Sequence, residues 1–203
     1  MTLAVGGFVP FTTIDYPGLL SAVVFCRGCP WRCCYCQNAH LQQLAGPTVE
    51  WESMLGFLRQ RRQLLDAVVF SGGEPTMQPG LLNAVQQVKA LGYKVALHTA
   101  APCLDAFAAV LPELDWVGLD VKALPQDYEQ ITKTPGSGKN VLAAIELLLK
   151  SDKNFEVRTT AHRQFMSEES LLLLGHLLAQ LGVRNYVVQR GGLNSERAEG
   201  NVV

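Results

Sequence analysis

The sequence predicts an α/β fold built on a parallel sheet, on three observations. Six apolar runs of strand length alternate with segments of helical apolar spacing. Continuous apolar strands such as Ala67-Val-Val-Phe70 suit a sheet covered on both faces. The chemistry-bearing sequences, finally, each follow the end of a strand: a cysteine loop, Ser71–Pro75, His98-Thr99, Asp120-Val-Lys122, Arg158–His162 and Gln189-Arg190.

Leu19–Cys26 is an apolar, β-branched strand that runs into the cysteine loop. Thr48–Gln63 is helical, with Trp51, Met54, Leu55 and Leu58 on one face and Thr48 as its cap. Ala67–Phe70 is a short buried strand. The next helix starts near Pro79, a favoured first-turn residue, and ends at Leu91 before Gly92. Tyr93–Thr99, Trp116–Val121, Phe155–Thr160 and Arg184–Gln189 complete the strands. Helices over Pro102–Leu111, Val141–Lys150 and Glu168–Leu181 lie between them.

Alternation alone leaves a doubly wound sheet and a barrel both open. Strand ends converging on one site are barrel behaviour, and six units are too few for the closed eight-fold form. The expectation is a partial (open) six-stranded parallel (β/α)6 barrel over residues 1–190, with a side opening that admits something large. A polar, glycine-rich tail, flexible at its end, is expected over 191–203.

With 203 residues the chain fits one domain that needs no disulfide staples. Its 48% hydrophobic and 17% charged residues are those of a soluble globular protein. A formal charge of −1 argues against nucleic acid or an anionic membrane as partner. No apolar stretch reaches the roughly 18 residues of a spanning helix, and the N-terminus lacks the pattern of a signal peptide. Five of the six cysteines fall between Cys26 and Cys36. Such clustering without an export signal favours metal binding in a reducing cytoplasm over a disulfide framework.

Cys29, Cys33 and Cys36 have the spacing C-x3-C-x2-C. Three thiolates on one short loop can hold three irons of a cubane cluster, which usually takes four. The fourth iron is then open to a small chelating molecule. Structural zinc is the competing reading, since Cys26 extends the pattern to C-x2-C-x3-C-x2-C. Paired zinc knuckles, however, are normally separated by a dozen or more residues rather than three. Cys26 and Cys34 read as packed small hydrophobes.

With Tyr35 before the last cysteine and Gly72-Gly73-Glu74-Pro75 after the second strand, the chain resembles the radical S-adenosylmethionine enzymes over nearly its whole length. More narrowly, Asp15-Tyr-Pro-Gly18, Phe25-x-x-Gly28-Cys29, Tyr35-Cys-Gln-Asn38 and Arg158-Thr-Thr160 resemble activating proteins of anaerobic (class III) ribonucleoside-triphosphate reductase, which are glycyl-radical activases. The resemblance implies a [4Fe-4S] cluster on Cys29, Cys33 and Cys36, with S-adenosylmethionine as cofactor. It implies reductive cleavage to a 5′-deoxyadenosyl radical that abstracts hydrogen from a glycine of a partner enzyme. A low-potential donor such as flavodoxin or ferredoxin would supply the electron. Gly72, Gly73 and Glu74 would meet the methionyl end of the cofactor, and Tyr35 its adenine, although a plain core aromatic is nearly as good a reading of Tyr35.

Asp120 and Lys122 share one face of a strand end and by resemblance lie near the cofactor or a monovalent cation; a surface ion pair is the bland alternative. Arg158 would bind the methionine carboxylate or a peptide backbone, unless it is an edge arginine paired to Glu156. Thr99 is a further cofactor contact, and His162 and Gln189 are weaker candidates. One departure stands out: where related activases often carry Asp-Thr-Asn-Gly, this chain has His98-Thr99-Ala100-Ala101, which puts a cation site like theirs in doubt. Two other functions compete: a small-molecule radical enzyme such as a 7-carboxy-7-deazaguanine synthase, and a zinc or cluster interaction module without turnover.

Overall fold

The computed structural model describes residues 3–190; the expected tail over 191–203 lies outside the described residues. Seven strands form one sheet in chain order: β1 (Val5–Thr12), β2 (Ser21–Cys26), β3 (Ala67–Gly72), β4 (Lys94–Thr99), β5 (Trp116–Asp120), β6 (Asn154–Ala161) and β7 (Tyr186–Arg190). From β2 to β7 every neighbouring pair is parallel, and the sheet stays open between β1 and β7. The expected open, six-stranded parallel barrel is therefore present. What the sequence reading left out is β1, which pairs antiparallel with β2. Gly6, Gly7 and Pro10 make that stretch look like a loop, yet its register is broken between Val5 and Gly7 and between Val9 and Thr12. An edge strand with bulges tolerates such residues.

Six helices complete the crossovers: α1 (Trp51–Gln60), α2 (Leu81–Ala90), α3 (Leu104–Val110), α4 (Tyr128–Thr132), α5 (Val141–Lys150) and α6 (Glu168–Gln180). Trp51, Met54, Leu55 and Leu58 are the buried face of α1, as their spacing requires. Its N-cap is Glu50 rather than Thr48, and no side chain caps it. Gly92, at φ +90°, follows the end of α2 as expected. The short helix α4 sits in a stretch to which the sequence reading assigns no element, too brief to declare itself by periodicity.

Alternation along the strands separates two cores. Ala22, Val24, Val68, Phe70, Val95, Leu97, Val117, Leu119 and Val157 face the helices. Val23, Ala67, Val69, Ala96 and Trp116 face the inside of the open barrel, where Tyr16 from the β1–β2 connection packs among them. The Tyr16 and Trp116 rings lie 5.7 Å apart, so the connection plugs the barrel at the end opposite the cysteine loop. Above that plug the inner face turns polar, and this is the surface that the strand ends present. Tyr16→Ala is expected to leave a cavity and cost about 3 kcal/mol, read as a lower urea midpoint at unchanged m-value.

Candidate active site

The cysteine loop leaves β2 and is held on both sides by backbone hydrogen bonds. On one side the Gly28 amide donates to the Leu41 carbonyl (2.7 Å) and the Cys29 amide to that of Gln42 (3.0 Å). On the other the Arg32 amide donates to Thr132 (2.8 Å) and the Cys34 amide to Ile131 (3.0 Å). Those two carbonyls close α4, where a helix leaves acceptors without intrahelical partners. Tyr128, fully buried, stands edge-on to Trp31 in the loop and anchors the same contact.

Two glycines build the floor. Gly72 has φ +115°, and a Cβ there would strike the backbone of Cys26. A Cβ on Gly73 would run into the Gly28 carbonyl and come within 2.9 Å of that of Leu41. The pair thus lets the end of β3 lie directly against the base of the cysteine loop, which the Gly73 amide (2.8 Å to the Cys26 carbonyl) and the Glu74 amide (2.7 Å to that of Gly28) fasten.

Glu74 is only 3% exposed, and its carboxylate is committed to the protein. Oε1 accepts from Thr99 Oγ1 (2.6 Å), Thr76 Oγ1 (2.7 Å) and the Thr76 amide (3.0 Å), and Oε2 accepts from the Ala100 amide (3.1 Å). Burial raises its pKa, an effect that the hydrogen bonds from Thr99 and Thr76 offset in part. Glu74 and Thr99 therefore meet each other, joining the ends of β3 and β4. A cavity of about 780 Å³ lies behind this network, between α2 and α3, and reaches Thr76, Cys103 and Asn140.

The inner face gathers the charged candidates. Asp120 and Arg158 are register partners on β5 and β6, and Arg158 donates to Asp120 Oδ1 through Nε (3.1 Å) and Nη2 (3.0 Å). Lys122 Nζ lies 3.7 Å from the other carboxylate oxygen. Burial works to raise the Asp120 pKa, but Lys122 and Arg158 outweigh it and hold the carboxyl below its usual range. Burial likewise works to lower that of Lys122, and Asp120, with Tyr35 and Cys33 nearby, turns the balance upward. Arg158 pairs with Asp120, not with Glu156. Gly118 makes the room: a Cβ there would come 2.7 Å from the guanidinium carbon.

His98, read in the sequence as part of a strand-end stretch and as a departure from related activases, joins this group. Its Nε2 is 2.8 Å from the Asp15 carbonyl and 3.3 Å from Arg158 Nη1, and its ring stands edge-on to Trp116. Burial and then the Arg158 charge lower its pKa to about 4. Tyr35 lies near Lys122 of the same group. Its ring is parallel to that of His162, at 6.0 Å between centroids, with Phe165 packed against both. Its hydroxyl is buried without a partner, and burial pushes its pKa up to about 12.

Cys29, Cys33 and Cys36 are half-buried, whereas Cys26 is fully buried and faces the helix-side core with Val24. Burial pushes the Cys29 thiol up to about 12, so iron binding there has to displace a proton. Among the described residues no three His, Cys, Asp or Glu side chains gather around a single ion. Three thiols spaced along one loop fit a cluster, in which each takes its own iron, better than a tetrahedral ion that needs its ligands at one point. No helix among the described residues is long and apolar enough to cross a membrane.

A family model described as the Radical SAM superfamily matches residues 23–171. The chain is 33% identical over 181 residues to a protein of Methanocaldococcus jannaschii provisionally named a glycyl-radical enzyme activating enzyme, covering 84% of this chain and 73% of that one. Among solved structures, anSMEcpe with bound AdoMet is similar at a TM-score of 0.67 and 17% identity, over 86% of this chain and 53% of its own. SuiB of Streptococcus suis is similar at 0.64 and 15%, over 84% and 39%. These two likenesses carry the fold alone, and the chain spans roughly half of the one structure and two-fifths of the other.

Two outcomes follow from the geometry. Gly73→Ala should lower stability by about 1–3 kcal/mol through the clash with Gly28, while Gly56→Ala in α1, where a Cβ meets nothing within 4 Å, should raise it by about 0.5–1 kcal/mol; denaturant melts of both compare the signs. His98, with its folded pKa below the unfolded 6.5, contributes stability fully above pH 6.5 and loses it as the pH falls toward 4. That loss, on the order of 3 kcal/mol, should be absent from the pH–stability curve of His98→Asn.

Proposed function

The chain belongs to the radical SAM superfamily, and from that membership we propose that it is a glycyl-radical enzyme activase whose partner is an anaerobic ribonucleoside-triphosphate reductase. The observation that carries the activase reading is the 33% identity, over 84% of the chain, to a protein of that name. The narrower choice of partner is supported by the motifs Asp15-Tyr-Pro-Gly18 and Arg158-Thr-Thr160. The superfamily works with a [4Fe-4S] cluster and S-adenosylmethionine. When bound, the cluster would supply the one-electron reduction that splits the cofactor's sulfonium and so provides the radical for hydrogen abstraction from a carbon of the target.

The residues of this chain divide the remaining work. Cys29, Cys33 and Cys36 would hold three irons and leave the fourth for the cofactor's amine and carboxylate. Gly72 and Gly73 keep side chains away from the strand end beside them. Glu74, fixed by Thr99 and Thr76, sets a negative charge behind the same turn, where it favours an ammonium group. Lys122 and Arg158 offer the inner face two cations for a carboxylate or a peptide carbonyl, and Asp120 between them keeps the pair from being a bare positive patch. Tyr35 closes the rim toward the adenine.

No general base is required, because a carbon radical performs the abstraction. The open side of the barrel suits a loop of another protein, whose glycine carbon must come to about 3–3.5 Å of the reacting atom. We place this chemistry in a reducing cytoplasm, as an oxidoreductase served by flavodoxin or ferredoxin.

Anaerobic reconstitution with iron and sulfide should give about four irons per chain, and dithionite with S-adenosylmethionine should give 5′-deoxyadenosine. Cys29→Ala, Cys33→Ala or Cys36→Ala should reduce that product to background, while Cys26→Ala keeps the full iron content. A glycyl doublet in electron paramagnetic resonance should arise only when an anaerobic ribonucleoside-triphosphate reductase from the same organism is added. Product without the doublet in that mixture would reject the activase reading and leave the superfamily chemistry intact.

A further inference from the structure

Arg27 immediately precedes Gly28 and Cys29, yet its side chain turns away from the cluster loop. It is 5% exposed. Nη2 donates to the carbonyls of Ala45 (2.8 Å) and His40 (3.1 Å), and Nη1 to that of Pro47 (3.3 Å). Among the described residues none of its partners is a carboxylate, and its Nε is buried without a partner. Burying a charge without an anion is costly, so a purely structural position would be better filled by an apolar side chain. The surrounding chain is nevertheless shaped to admit the guanidinium. A Cβ on Gly6 would come 2.7 Å from Arg27 Cγ, and one on Gly46 (φ +140°) would fall on Nη2.

The carbonyls that Arg27 holds belong to the segment that holds the cysteine loop. Residues 40, 45 and 47 bind the guanidinium, while Leu41 and Gln42, within the same strap, accept from the amides of Gly28 and Cys29. The backbone of Arg27 extends the junction. Its amide donates to the Ala4 carbonyl (2.8 Å), and its carbonyl accepts from Gln78 Nε2 in the turn that follows Glu74. A planar fork of five donors can grip three carbonyls at once; an ammonium on a flexible stem cannot do so with fixed geometry.

We infer that Arg27 is a positioning residue for the cysteine site: by clamping the strap over residues 40–47, it fixes the carbonyls from which Cys29 hangs and so sets the Cys29 thiol against Cys33 and Cys36. The inference rests on the reading of those three cysteines as cluster ligands. Its action is indirect, since the guanidinium touches the strap and the strap touches the loop.

Hydrogen exchange on the iron-free protein tests the first half. In Arg27→Gln, the hydrogen-bonded amides of Leu41 and Gln42 in the strap and those of Gly28 and Cys29 should exchange at least ~10-fold faster than in wild type, with β4 and β5 unchanged. Electron paramagnetic resonance of the reduced, reconstituted protein tests the second half. Arg27→Gln should take up the same iron but show shifted or broadened g-values, and Arg27→Lys, which keeps the charge, should fall between. Should Arg27→Gln fail to fold, Arg27→Lys against wild type carries both comparisons. Unchanged exchange in the strap, acceleration spread evenly over the whole sheet, or a wild-type spectrum in spite of a mobile strap would each overturn the inference. Wild-type protein that takes up no cluster would instead strike the reading of the cysteines, whatever the exchange shows.

Discussion

Five amides between Gly28 and Cys36 donate to backbone carbonyls, four of them to carbonyls outside the loop, at Leu41, Gln42, Ile131 and Thr132. A nine-residue loop with three half-buried thiols would otherwise wander, because short loops bury little apolar surface to offset their backbone entropy. Here backbone hydrogen bonds to neighbouring elements hold the spacing of the cysteines. The arrangement also explains why a helix as short as α4 persists. Isolated, it would not hold its shape, but its terminal carbonyls are consumed by Arg32 and Cys34, and Tyr128 seals it against Trp31.

The sheet keeps two polar clusters apart by the parity of its strands. Glu74, Thr76 and Thr99 close on one another at the ends of β3 and β4, and their hydrogen bonds are satisfied within the protein. Asp120, Lys122, Arg158 and His98 sit on the inner face, where the plug of Tyr16 and Trp116 gives way to polar side chains. The first cluster is finished and rigid. In the second, Asp120 is 39% exposed, and the histidine nitrogen has a carbonyl and a guanidinium competing for it. Of the two, the inner cluster is the one left partly exposed.

Periodicity was enough for α5, whose bounds coincide with the apolar run Val141–Lys150, and parity placed Asp120 and Lys122 together. The cysteine spacing and Gly-Gly-Glu are local signals, and both survive as neighbours in space. What escaped was encoded in pairs distant along the chain. Asp120 meets Arg158 across 38 positions, and the sequence offered the nearer Glu156 instead. Gly118 inside a strand was the available hint that something lay close over the sheet. Tyr16 follows a strand that glycine and proline disguise, so nothing local marked it as a plug.

Arg27 and Arg158 show how the same side chain can be spent in two ways. Both are given room by glycines, Gly6 and Gly46 for the one and Gly118 for the other. Arg158 is compensated by a carboxylate and keeps Nη1 toward a histidine nitrogen that can offer it only a weak bond, so an incoming anion or carbonyl can gain from it. Arg27 has both terminal nitrogens committed to carbonyls, in a place too tight for an added methyl group, and its one unpartnered nitrogen, Nε, is buried. A guanidinium held by neutral acceptors alone stabilises the fold less than an ion pair would, and it stays charged at any accessible pH. Its grip on the strap is therefore insensitive to the titrations that affect His98 on the inner face. The support of the cysteine loop thus does not depend on the charge state of the barrel interior.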